Sequence, residues 1–162
     1  MFKKSFFLLS SIILFISCDS KGVFSEYKSV ANDWKKNEKI EFSFPAPDTT
    51  KAYNMFINVR NDKTYEFSNL FLIVHMNFPD GKIISDTIEY EMAKPNGEWL
   101  GKGFTSLKES KLWYKENVTF PNSGTYNVQI EHAMRINGRV EGIESLKGIK
   151  DVGVKLENAS IQ

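Results

Sequence analysis

The sequence predicts an all-β chain: an antiparallel β-sandwich of about seven to nine strands behind a secretory leader and a tether. Three observations carry that expectation. Apolar and polar residues alternate in segment after segment. Turn signals built on Pro, Asn and Gly separate those segments at short spacing. Beyond the leader, no long stretch repeats its apolar residues with a helical period.

The leader comes first. Lys3 and Lys4 form a short basic start, and residues 6–16 are apolar apart from Ser10 and Ser11. The chain turns polar at Asp19, Ser20, Lys21 and Gly22. That is the pattern of a signal peptide, and it is too short for a spanning helix, which needs about 20 apolar residues. Ser17-Cys18 at the break resembles a lipobox, with Phe15 where most have Leu and Ile16 where most have a small residue. Cleavage is therefore expected before Cys18, whose thiol takes a diacylglyceryl group. Cys18 is the one cysteine of the chain, so no intramolecular disulfide is available, and lipidation accounts for an otherwise unpaired thiol. Each buried methylene contributes about 0.8 kcal/mol, so two or more acyl chains hold a protein on a bilayer durably. The expected organisation is a signal peptide over 1–17, a lipidated N-terminus and tether over 18–38, and a sandwich over 39–162. The tether is expected to contain a short helical or irregular turn near Ser29 to Lys36.

Removal of 1–17 leaves 145 residues, one domain in size. Nineteen Lys and Arg then face twenty Asp and Glu, a formal net charge of −1. With no basic block, nucleic acid is not an expected partner.

The strands follow in order. Ile40, Phe42 and Phe44 share one face, and Pro45 and Pro47 end that strand. Tyr53, Met55, Ile57 and Val59 alternate with Asn54, Asn58 and Arg60. Leu70 through Phe78 is apolar on both faces and reads as a central strand buried on both sides. Pro79-Asp80-Gly81 is a tight turn, because Pro presets φ and Gly permits φ > 0. It leads into a strand marked by Ile84, Ile88, Tyr90 and Met92. Pro95-Asn96-Gly97 turns again, before Trp99, Leu100, Gly101 and Gly103. Lys111 to Val118 is a weaker strand. Phe120 to Gly124 turns into a long strand through Tyr126, Val128, Ile130, His132 and Met134. Asn137-Gly138 is a further turn, and Val152, Val154 and Leu156 face inward on a last strand.

Little in this pattern points to catalysis. His75 and His132 stand alone on strands, with no metal-ligand spacing. No GxSxG, SxxK or phosphate-loop motif is present. Glu89 and Glu91 share a strand face, so a hydrolase pair is geometrically conceivable, although an apolar opposite face makes theirs a solvated one. Trp99, Trp113 and Tyr114 open an alternative, a carbohydrate-binding sandwich that stacks sugars. Arginine is scarce, at positions 60, 135 and 139. Arg60 and Arg135 each end a strand and call for a carboxylate, with Asp151 a candidate partner, either as structural ion pairs or as a contact surface.

The segments Tyr53 to Arg60, Tyr65, Asn69-Leu70, Asp86-Thr87, Gly97 to Gly103, Phe120 to Tyr126, Met134-Arg135 and Leu146 to Gly153 occur in an order that, with a lipoprotein leader, resembles the gliding-motility lipoprotein GldH family of Bacteroidetes. The resemblance implies a non-enzymatic part of the gliding apparatus, working beside type IX secretion with other envelope proteins. It supplies no catalytic residue and no cofactor beyond the lipid on Cys18. It also implies the outer membrane, and the lack of an acidic cluster after Cys18 favours the periplasmic face. The loops from Trp99 to Gly103 and from Asn137 to Gly148 are the expected partner surface.

Overall fold

Two four-stranded sheets face each other across one apolar core, and the alternation of the sequence decides which side chains fill it. The computed structural model describes residues 22–31 and 33–159. The expected signal peptide and Cys18 lie outside the described residues. Within them are ten strands and no helix: β1 (Gly22–Ser29), β2 (Trp34–Lys35), β3 (Ile40–Pro45), β4 (Tyr53–Asn61), β5 (Asn69–Asn77), β6 (Ile83–Glu91), β7 (Lys108–Val118), β8 (Thr125–His132), β9 (Ser145–Leu146) and β10 (Ile149–Asn158). One sheet runs β1-β10-β4-β7, the other β3-β8-β5-β6, and β2 pairs with β9. Every ladder is antiparallel. The all-β sandwich expected from the sequence is the fold observed.

Each inner face carries the even or odd set that the sequence makes apolar. Ile40, Phe42 and Phe44 of β3 are buried while Glu41 and Ser43 point out. Leu70, Leu72, Val74 and Met76 of β5 meet Met55, Ile57 and Val59 of β4 and Val152, Val154 and Leu156 of β10 in one cluster. Each such side chain contributes about 1.5–3 kcal/mol on leaving water, and this is what holds the sheets together. Rings close one end of the core. Tyr126 lies 4.9 Å from Phe120 and 5.3 Å from Phe78, both edge to face, and 5.9 Å from Phe44 in a stack.

The Pro79-Asp80-Gly81 turn forms as its residues require. Gly81 has φ +85°, and the Asp80 carboxylate accepts from the Lys82 N–H at 3.0 Å. The resulting hairpin pairs β5 with β6 from Asn69↔Glu91 to Asn77↔Ile83.

Three expectations are corrected. The stretch read as a tether with a helical turn contains β1 and β2. β1 is an edge strand with few apolar residues, so its local pattern is weak; the ladder to β10 from Gly22↔Glu157 to Ser29↔Asp151 holds it. Trp34 is fully buried at the opposite end of the core from the ring cluster, and its Nε1–H donates to the Glu38 carbonyl at 2.9 Å. Second, β5 is central but buried on one face only; Phe71, Ile73 and His75 on the other are half-buried. Third, β8 ends at His132, so Met134 and Arg135 begin a loop.

His132 packs edge to face on Trp34, with ring centroids 5.4 Å apart, and its two ring nitrogens find no hydrogen-bond partner among the described residues. Burial lowers its pKa, against the smaller upward pull of the Trp34 backbone and of Glu131, Glu144 and Glu38. The fold therefore favours neutral His132. Its contribution is complete above the unfolded value of about 6.5 and is lost as pH falls from there through the lowered folded value. A His132→Phe variant should keep the ring contact and show a flatter decline of Tm below pH 6.5 than the wild type, measured by thermal melts across pH 5–8. Parallel curves would remove this role.

Candidate functional site

The polar residues singled out by the sequence meet on the outer face of the β1-β10-β4-β7 sheet. Register aligns Ser29, Asp151, Arg60 and Glu109 in one row across four strands. The next row is Tyr27, Gly153, Asn58 and Lys111. Because Gly153 has no side chain, the Tyr27 ring lies across it; a Cβ there would sit 2.8 Å from Tyr27 Cδ1. Tyr27 thereby reaches two strands over. Its hydroxyl donates to Glu109 Oε1 at 3.1 Å and accepts from Asn58 Nδ2 at 2.7 Å. Arg60 rests on that ring, with Cζ 4.2 Å from its centroid. Its Nε–H donates to Glu109 Oε2 at 2.6 Å. Asp151 stands 3.8 Å from the other side of the guanidinium and accepts from the Ser29 hydroxyl at 2.7 Å.

Of the two carboxylates beside Arg60, Glu109 is the nearer and Asp151 the farther. Nothing local marks Glu109, which lies 49 residues from Arg60. Arg135 joins neither; it is exposed and pairs with no carboxylate among the described residues. Further along the same face, Trp113 leans on Phe56, with centroids 4.4 Å apart. Lys111 Nζ lies 3.9 Å from the Phe56 centroid and 2.7 Å from Glu157 Oε1.

A second assembly gathers at the end where β4, β6 and β8 finish. Loops 62–68, 92–107 and 133–148 lie there together. Trp99 is half-buried, 6.1 Å from the Tyr65 ring, which pins the second loop to the first. The Met92 and Ala93 amides also donate to the Ser68 carbonyl. The third loop joins through Gly148, at φ +85°, whose absent Cβ would overlap the Tyr65 backbone nitrogen. The two expected partner loops, Trp99 to Gly103 and Asn137 to Gly148, are therefore at one end of the sandwich. Phe67, Ile136 and Ile143 line a shallow pocket there, with Glu66, Ser145 and Lys147 at its rim.

The other candidates separate. Glu89 and Glu91 are exposed on the outer face of the edge strand β6, and Glu89 accepts from Asn69 Nδ2 at 2.7 Å. His75 contacts the Ser85 hydroxyl at 2.7 Å and Glu131 at 3.2 Å. Among the described residues no three His, Cys, Asp or Glu side chains are grouped to hold a metal. Of the aromatics proposed for sugars, Trp113 is exposed. Trp99 is half-buried at the loop end, and Tyr114 faces inward to donate to Asp86 at 2.8 Å.

Residues 22–156 match the family model described as GldH lipoprotein. The chain belongs to the GldH lipoprotein family. A gliding motility lipoprotein GldH homolog of Christiangramia forsetii is 55% identical over 154 residues, covering 95% of this chain and 94% of the relative. The gliding motility lipoprotein GldH of Flavobacterium johnsoniae is 50% identical over 155 residues, covering 96% of each. Among solved structures, the VP2 subviral particle of infectious bursal disease virus aligns with 92% of this chain and 38% of its own, at 17% identity and TM-score 0.38. The GldH match begins at the first residue of β1, so the family unit contains the strand that the sequence pattern hid.

Burial first, and then the Glu109 carboxylate, raise the pKa of Tyr27. A phenol favoured neutral contributes fully below its unfolded value of about 10 and loses that contribution as pH rises through the folded value. Tyr27→Phe also leaves Asn58 Nδ2 without its acceptor. It should cost about 1–2 kcal/mol at neutral pH, read from urea denaturation, and should show a shallower loss above pH 10 than the wild type.

Proposed function

We propose that this chain is a non-enzymatic, lipid-anchored component of the gliding motility machinery, acting with other envelope proteins and with type IX secretion. The observation that carries the reading is 50–55% identity, over nearly the whole of both chains, to proteins named as gliding motility lipoproteins. The anchor is the acylated Cys18 at the end of the apolar leader. The outer membrane, with the domain on its periplasmic face, is the proposed site of attachment. An all-β domain whose polar residues are spent on a sheet-face network and on exposed loops suits display and contact.

Deletion of the gene should abolish colony spreading and reduce type IX secretion, and the wild-type gene should restore both. A Cys18→Ala gene should restore neither. Its product should take up no labelled palmitate and should leave the outer-membrane fraction in density-gradient separation. Spreading that survives deletion would reject the motility assignment. Palmitate uptake by the Cys18→Ala product would reject the anchor.

A further inference from the structure

We propose that the loop end, built from 62–68, 92–107 and 133–148, is a docking surface for a protein partner whose face is acidic and carries apolar side chains. Its position rests on the lipid anchor proposed above. β1 begins at Gly22 at the other end of the sandwich, the end that also carries the β5–β6 turn. β4 and β10 have nine and ten residues, and at about 3.4 Å per residue they separate the two ends by roughly 30 Å. From Cys18 to Gly22 the chain can reach at most about 14 Å. A bilayer holding Cys18 therefore lies at the Gly22 end, and the three loops face away from it.

What they present there is unusual for a free surface. Phe104 is 110% exposed and Val140 81%, and Leu100 and Ile136 are also exposed. Single exposed apolar residues are ordinary; here four stand on two loops that share one end of the sandwich. The loops are held in shape. Lys102 and Glu109 exchange two backbone hydrogen bonds of 2.8 Å, and Arg135 bridges Gly142. Phe67, Ile136 and Ile143 line a shallow depression between the first and third of these loops.

Charge selects the partner. On these loops Lys63, Lys102, Arg135, Arg139 and Lys147 have no carboxylate partner among the described residues, against Glu66 and Glu141. These three loops thus carry an excess of unpaired cations, although the chain beyond the leader is negative by formal count. Two of the three arginines stand here, and arginine beside apolar residues is the composition of a contact patch. Cations around an apolar centre favour an acidic face and repel a basic one.

The test uses the full-length protein in its own cells. A photo-crosslinking residue replaces Phe104 in one strain, Val140 in a second and Lys82, at the anchor end, in a third. Adducts are identified by mass spectrometry. The first two strains should capture one and the same protein through an acidic surface, and the third should not. Combined Arg135→Glu and Arg139→Glu should lower that yield about tenfold, and charge reversal on the captured surface should restore it. Adducts with lipid, with a second copy of this chain or with unrelated bystanders would overturn the proposal. So would no adduct, or yields indifferent to charge reversal. Palmitate labelling is read in the same strains: its loss strikes the anchor alone, whereas loss of the adduct with labelling intact strikes the docking surface alone.

Discussion

Strand β1 is tied to β10 by a ladder running from Gly22↔Glu157 to Ser29↔Asp151, and the geometry of the whole molecule depends on it. The pairing joins the beginning of the described chain to its last strand. It places Gly22 at one end of a sandwich whose longest loops leave at the other. It also covers the edge of β10, a strand that would otherwise offer unpaired amides and carbonyls to other chains. The glycine at the middle of this ladder, Gly153, lets Tyr27 lie flat over β10 and tie β1 to β4 and β7 through Asn58 and Glu109. One missing side chain converts a row of separate polar residues into a brace across four strands.

That brace absorbs the chemistry a functional reading would first reach for. Arg60, Glu109, Asp151 and Tyr27 satisfy one another on the sheet face, so their charges stiffen the scaffold. The half-exposed ion pairs themselves contribute modestly in water. The stacked guanidinium and the shared phenol add direction to them. Among the described residues Arg135 and Arg139 have no such partners, and they stand beside exposed apolar residues on loops pinned by Trp99 and Gly148. The same residue type is therefore structural on the sheet face and available at the loop end, according to whether carboxylates from other strands meet it.

The fold was legible in the sequence wherever a strand has one buried face. Ile40 to Phe44, Tyr53 to Val59, Leu70 to Met76 and Tyr126 to Ile130 alternate because each second residue enters the core. Turn residues separate them because a hairpin needs particular φ angles. β1 was not legible, because an edge strand buries little and draws its stability from hydrogen bonds to β10 that no local pattern records. Trp34 reads as a stray aromatic in a polar stretch. It is instead the plug of one end of the core, since β2 finds its partner β9 more than a hundred residues away.

By itself the sequence determined the sandwich class and the order of the family's segments, and it carries the apolar N-terminal run with the single cysteine at its end. These depend on local composition and on a period of two, which the chain carries along its length. The tertiary structure alone decided that Glu109 meets Arg60, that Arg135 finds no carboxylate among the described residues, and that the loops around Trp99 and Gly148 share one end, opposite Gly22. These are cross-strand and cross-loop relations, set by register and sheet order, and no span of neighbouring residues encodes them.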